Sequence, residues 1–366
     1  LYDWKKERIM AEIPLDLHEM LRYASEKKAS DLFIKEASPP ALRVSGRIQK
    51  MEMAPLTADD CRSLAYSIMT HEQIGRFEHR HELDLAIQIE GLARVRVNVY
   101  QQRGSMGMVL RLIPLKILSL EQLGMPPVLS EMCKQRQGLI LVTGPTGSGK
   151  STTLAGMIDL INNSRRANII TVEDPIEFVH PDKMCIVSQR EIGLDTDSFM
   201  DALKYLMRQN PDIILVGEMR DIETMSVGLS AAETGHLVFS TLHTKSAAET
   251  LDRIINMFPP QDREMVCLRL AGALKGVVSQ KLIPRADGTG RVGAIEVMIA
   301  TPTIIKLIEE GRASALYGAI AEGNFWGMQT MNQCLIKYFK AGLISEEEAV
   351  ANAGNITEMK QMVRRP

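Results

Sequence analysis

The stretch GPTGSGKSTT, residues 144–153, follows the apolar run Leu139-Ile140-Leu141-Val142 and opens a segment of helical composition. Ten residues so poor in side-chain bulk cannot fill a core. Gly144 to Ser151 fits G-x-x-x-x-G-K-[ST] at every fixed position. The placement matters as much as the pattern, because the motif needs a buried strand before it and a helix after it. Gly147 and Gly149 let the backbone curl until successive N–H groups point inward at phosphate oxygens. The helix that follows adds the positive end of its dipole. On this reading the loop of Gly144, Pro145, Thr146, Gly147, Ser148, Gly149, Lys150, Ser151 and Thr152 holds a nucleotide's phosphates. Lys150 reaches the β- and γ-phosphates, and Ser151 offers its hydroxyl to Mg²⁺. The competing reading is a glycine-rich turn with a surface lysine.

Outward from this loop, short apolar runs alternate with helical stretches. GLILVTG, ANIITVED, MCIVSQ, PDIILVGE and GHLVFSTLH are the expected strands. Such runs predict a largely parallel sheet covered on both faces, an α/β domain over residues 128–366. From about residue 300 the chain reads as helical with no further strand, as in PTIIKLIEEG and MNQCLIKYFKAG. The proline-bearing stretch PLKILSLEQLGMPP predicts a linker over 115–127. Residues 1–114 read as a separate α+β unit. There LHEMLRYASEKKASDLFI gives an amphipathic helix running into a strand, and PPALRVSGRIQ gives two extended pieces about a Ser45-Gly46 turn. ELDLAIQI, ARVRVNVYQQRG and SMGMVLRLI alternate as strands do, with turns at Gly91 and Gly104. An antiparallel sheet with helices on one side is expected.

Nucleotide hydrolysis also requires metal coordination and a positioned water. In NPDIILVGEMRD an apolar strand ends at Gly217-Glu218, on the sheet edge where open α/β folds bind ligands. Glu218 is therefore the candidate to orient or deprotonate the attacking water, against a solvated loop glutamate. IITVEDPIEFVH ends a strand in Glu173-Asp174, and two adjacent carboxylates cannot both face a core unpaired. Glu173 is assigned to the metal or its waters, against the competing reading in which Asp174 caps a helix. AAETGHLVFSTLHT puts His236 and His243 at opposite ends of one strand. His243, at the C-terminal end, is the candidate to donate to the γ-phosphate.

The 366 residues carry a net charge of −2, with 45% hydrophobic, 24% charged and 5% aromatic side chains. A near-neutral, aromatic-poor chain argues against a nucleic-acid motor, which needs a basic, aromatic-lined groove. No apolar run reaches the roughly eighteen residues of a membrane span, and no secretory signal opens the chain. The five cysteines lie far apart without a C-x-x-C pair, which predicts a reducing, cytoplasmic setting and no zinc site. The chain begins at Leu1, and its natural start is expected upstream.

Taken together, these motifs resemble the PilT/PilU-type ATPases of bacterial type IV pili, within the broader secretion ATPase family. GPTGSGKSTTLAGMID is similar to their Walker A segment, IITVEDPIEFVH to the Asp box, DIILVGEMRDIET to Walker B and AAETGHLVFSTLHT to the His box. SDLFI, ARVRVNVYQQRG, LDRIINMFPP and GMQT match further, so the resemblance runs from about residue 18 to residue 360. It implies a RecA-like P-loop ATPase domain joined to a smaller PAS-like N-terminal domain, with a helical C-terminal tail. It also implies ATP and Mg²⁺, a homohexameric ring at the inner membrane face, and an inner-membrane platform protein as partner. Nucleotide-driven closure of the two domains would power pilus retraction and twitching. By the same resemblance Glu218, Glu173 and His243 are catalytic, Ser151 and Glu173 serve the metal, and Arg96, Arg103 and Arg111 reach the phosphates.

Two departures stand out. Gly217 occupies the position where other P-loop enzymes carry a metal-binding aspartate, which leaves the metal to Ser151 and waters. Where PilT proteins carry A-I-R-N-L-I-R-E, this chain has Thr303-Ile304-Ile305-Lys306-Leu307-Ile308-Glu309-Glu310, without either arginine. The retraction motor therefore stands beside two alternatives. One is a PilU-like accessory ATPase that works with a second retraction ATPase; the other is an extension or type II secretion ATPase.

Overall fold

The computed structural model describes residues 15–364 apart from 45, 90, 92 and 115. The chain separates into two compact units that divide between Lys116 and Ile117. Ser45, expected in a turn with Gly46, lies outside the described residues.

The first unit contains α1 (Leu17–Glu26), β1 (Ala29–Lys35), β2 (Ala41–Val44), β3 (Arg47–Lys50), α2 (Ala58–Tyr66), α3 (His71–Arg80), β4 (Glu82–Ile89), β5 (Ala93–Gln102) and β6 (Ser105–Pro114). The strands make one antiparallel sheet in the order β3-β2-β1-β6-β5-β4. Alternation puts Leu32, Ile34, Leu83, Leu85, Val95, Val97, Val99, Met108 and Leu110 on one face. They form a single core with Leu17, Met20, Leu21, Leu64 and Phe77 of the helices. Thr57 and Thr70 start α2 and α3 with capping boxes, which satisfy helix N–H groups that have no partner within the helix. The expected antiparallel sheet with helices on one side is what forms.

The second unit begins with α4 (Val128–Cys133), β7 (Gly138–Thr143), α5 (Lys150–Ser164), β8 (Asn168–Glu173), β9 (Ile186–Glu191), α6 (Phe199–Leu206) and β10 (Ile213–Val216). It continues through α7 (Ile222–Glu233), β11 (Leu237–Leu242), α8 (Ala247–Met257), α9 (Arg263–Ala273), β12 (Leu274–Pro284) and β13 (Arg291–Ile299). The tail holds α10 (Pro302–Glu309), α11 (Leu316–Glu322), α12 (Met331–Lys340), α13 (Glu346–Ala351) and α14 (Ile356–Arg364). The sheet order is β13-β12-β7-β11-β10-β8-β9, parallel except for the β12–β13 pair. Every residue of β7 and β11 is buried, because α4 and α5 cover one face and α6 to α11 the other.

Two features depart from the sequence reading. The hairpin β12–β13 adds two strands to the five expected. Its alternation is blurred by Gly276, Lys275 and Lys281 and by a register shift between Leu274 and Gly276. The stretch expected as a linker packs with the second unit from Ile117 onward. Leu120 joins the core under α5, where Gly156 leaves room. A Cβ there would stand 3.1 Å from the Leu118 carbonyl oxygen and 3.2 Å from Leu120 Cδ2. The turn at residues 120–124 is closed by backbone hydrogen bonds such as Met125 N–H to the Leu120 carbonyl, and Pro127 stands at the N-cap of α4.

Candidate active site

Register fixes which residues meet. Val216 pairs with Val172 on one side and Ser240 on the other, and Leu242 pairs with Thr143. The C-terminal ends of β7, β8, β10 and β11 therefore lie level along one edge. Gly144, Glu173, Gly217-Glu218 and His243 leave from it together. His236 stays at the other end of β11, its Nδ1 2.9 Å from the Ala231 carbonyl oxygen.

The glycine loop passes from β7 into α5, which starts at Gly149 with φ of 92° and no side-chain cap. Its first-turn N–H groups thus remain available to a ligand. Lys150 is buried, and its Nζ donates to the carbonyl oxygens of Gly144 at 2.9 Å and Pro145 at 3.2 Å. Burial holds its ammonium pKa below the usual lysine value, against the pull of Glu218 and Glu177. Ser148 Oγ is buried and has no hydrogen-bond partner among the described residues. Around Gly147 a Cβ would meet nothing within 4 Å. A desolvated cation, an orphaned hydroxyl and open space beside the loop fit an anionic phosphate chain.

Glu218 Oε2 lies 2.8 Å from Arg220 Nη2 and 3.2 Å from His243 Nε2. Burial pushes the Glu218 carboxyl up. The Arg220 hydrogen bond and the His243 and Arg220 charges outweigh this and hold its pKa below the ordinary glutamate value. Thr241 Oγ1 donates to the Gly217 carbonyl at 2.7 Å and steadies the loop that carries Glu218. Glu173 accepts from Thr171 Oγ1 at 2.6 Å and Gln189 Nε2 at 3.1 Å. Burial nevertheless raises its pKa above the usual range, against these donors and the Glu177 backbone N–H.

These groups line one cleft of about 440 Å³: Thr146, Gly147, Gly149, Lys150, Ser151 and Thr152 of the glycine loop together with Glu173, Glu218 and His243. Sequence reasoning missed Arg220, Glu177 and Arg291, which line it too. Arg220 was within reach, standing two residues after Glu218; Arg291 belonged to the unseen hairpin. The three arginines named from the resemblance all lie in the first unit. Arg96 and Arg111 are direct cross-strand neighbours, on the face away from the helices. Arg111 Nε donates to the buried Asp31 at 2.9 Å, and Arg43 approaches the same carboxylate at 3.3 Å. Arg103 sits apart, at the β5–β6 turn with φ of 48°.

A family model described as "Type II/IV secretion system protein" matches residues 7–348. The chain belongs to this family. Within the family it is 48% identical over 335 residues to the "Type IV pilus retractation ATPase PilT" of Pseudomonas aeruginosa, covering 92% of this chain and 97% of that one. The "Type IV pilus ATPase PilU" of the same organism is 40% identical over 350 residues, covering 96% and 92%. A solved structure, "Crystal Structure of the Pilus Retraction Motor PilT and Bound ADP", matches with a TM-score of 0.89 at 44% identity, covering 95% of this chain and 100% of that chain. The expected PilT/PilU-type resemblance is thereby borne out, and the second unit is a RecA-like α/β domain of the family. Among the described residues no helix is long and apolar enough to cross a membrane.

Proposed function

We propose that this chain is a magnesium-dependent ATPase that works as a homohexameric motor for type IV pilus retraction. The observation that carries the reading is the meeting of an uncapped glycine-loop helix, a buried Lys150 and a cation-held Glu218 in one cleft. The loop amides and Lys150 grip the triphosphate, and His243 donates toward the γ-phosphate. Glu218, kept ionised, orients the attacking water and takes its proton as the bond to phosphorus forms. Arg96, Arg103 and Arg111 are assigned to the phosphates as additional cations, with Arg111 shared with Asp31.

Magnesium fits this donor set in one way. Among the described residues no group of three or more His, Cys, Asp or Glu side chains is placed to hold an ion. Mg²⁺ characteristically keeps several waters and binds through few protein oxygens plus substrate phosphates. Ser151 Oγ would hold it directly and Glu173 through water, and the ion would neutralise charge on the β- and γ-phosphates. Nucleotide binding and hydrolysis would then close and reopen the two units. The chain would act at the cytoplasmic face of the inner membrane, on a platform protein. The relatives' names, retraction ATPase and retraction motor, support this assignment.

A second reading, an accessory ATPase working with another retraction ATPase, is favoured by α10. Ile305 and Glu309 stand there where PilT proteins carry arginines, and Ile305 packs against the apolar core. The similarity to PilU points the same way. A strain lacking only this protein separates the alternatives. Excess surface pili with lost twitching supports retraction, near-normal twitching supports the accessory role, and loss of surface pili points to extension.

A further inference from the structure

Thr171 and Gln189 are direct neighbours across the parallel β8–β9 pair. Alternation along β8 brings Glu173 to the same face. There the Gln189 side-chain amide is engaged on three sides. Its Nε2 donates to Glu173 Oε1 at 3.1 Å and to the Phe178 carbonyl at 2.9 Å, and its Oε1 accepts the His180 backbone N–H at 2.8 Å. Two acceptors and one donor around the amide leave a single orientation that satisfies it. Thr171, fully buried, donates to the same Oε1 of Glu173 at 2.6 Å.

We propose that Gln189 is a positioning residue for the reaction, holding the Glu173 carboxylate together with Thr171 and tying to it the loop that carries Glu177 and Phe178. This rests on the functional reading above, which gives Glu173 its place beside the magnesium waters. The terminal torsion of a glutamate is soft, and a carboxylate that acts through water must be held still to act at all. One amide thus aligns the carboxylate and the cleft wall together, since Glu173, Glu177, Phe178 and His180 all line the cleft.

The test is a double-mutant cycle with two readouts: steady-state ATP turnover, and the gain in ADP affinity on adding Mg²⁺, measured by calorimetry. Gln189→Met keeps the length and removes the amide; Thr171→Val keeps the shape and removes the hydroxyl. Each is expected to lower kcat by about 10- to 100-fold, the usual cost of losing a partner behind a metal-directed group. Both should shrink the magnesium-dependent gain while metal-free ADP affinity stays unchanged; Gln189→Met should also lower Tm, because it leaves the His180 N–H and the Phe178 carbonyl without their partner. Thr171→Ser should restore both readouts. In a Glu173→Ala background, Gln189→Met should leave the magnesium-dependent gain unchanged, because that effect runs through Glu173.

Gln189→Met keeping kcat and the magnesium gain within about twofold of wild type, with RT ln 2 as the yardstick, would overturn the proposal. So would an equal cost in the magnesium-dependent gain with and without Glu173, or a fall in metal-free ADP affinity that matches the fall in kcat, which would make Gln189 merely structural. A wild type that binds Mg²⁺ and ADP but does not hydrolyse ATP would sink the functional reading alone. The calorimetric cycle would then still decide on Gln189.

Discussion

The carboxylate of Glu218 stands 2.8 Å from the guanidinium of Arg220, two residues further along the same loop. The pair sets the charge state of the proposed base. Burial alone would raise the Glu218 pKa, and Arg220 with His243 brings it below the ordinary value. The carboxylate therefore stays ionised to lower pH than a free glutamate, and loses its charge only as pH falls through that depressed value.

Arg220→Gln removes a hydrogen bond and a positive charge, so the Glu218 pKa rises. The acid limb of the kcat/KM profile is expected to move to higher pH, because a positive charge that favours the ionised carboxylate is gone. A pH–rate series on the two proteins checks this. An unmoved acid limb would separate Arg220 from the ionisation of Glu218.

Two glycines of the loop should respond differently to alanine. At Gly144, φ is 144° and a Cβ would lie 2.3 Å from the Gln280 carbonyl oxygen. Gly144→Ala is expected to cost about 2–5 kcal/mol through strain and overpacking. At Gly147, φ is 77° but the space is open. Gly147→Ala should cost only about 1–2 kcal/mol, yet its methyl occupies the room proposed for phosphate. Urea unfolding and ADP calorimetry should therefore separate the two variants, one failing in stability and the other in binding.

The glycine loop was readable because its chemistry is carried by the backbone, so the residue pattern that lets the backbone curl is itself the signal. The edge carrying Glu173, Glu218 and His243 followed from strands that end in polar residues. Other parts depend on contacts that no local pattern records. Prolines 126 and 127 looked like a break, but Leu120 finds a niche over Gly156. Gln280 and Lys281 obscured β12, though Gln280 accepts from Thr153 Oγ1 at 2.8 Å and Lys281 Nζ donates to the Asn352 carbonyl at 2.8 Å. Gln189 reads as an ordinary strand residue until its register with Thr171 is known.

Glu296 offers a test of the link between the sheet and the tail. This buried carboxylate accepts the Ala247 N–H at 2.8 Å and the Met331 N–H at 3.3 Å, at the starts of α8 and α12. Glu296→Ala orphans both and leaves a cavity, at an expected cost of about 2–5 kcal/mol. Glu296→Gln keeps one acceptor and should fall between that variant and the wild type. Burial raises the folded-state pKa, against the two backbone N–H groups that favour the charge. The native protein thus binds this proton more tightly than the unfolded chain, and the group's contribution to stability falls as pH rises through the raised value. Urea titrations across pH should show that slope in the wild type and a flatter one in Glu296→Gln.

The central claim is that the glycine loop grips ATP while Glu218 directs water onto it. Single-turnover hydrolysis with purified Glu218→Gln tests it most directly, run beside a measurement of Mg²⁺-ADP binding. Binding is predicted to match the wild type while the hydrolysis rate falls by about 100- to 10,000-fold, the range for losing a general base. Retention of most of the wild-type rate by Glu218→Gln would contradict the account.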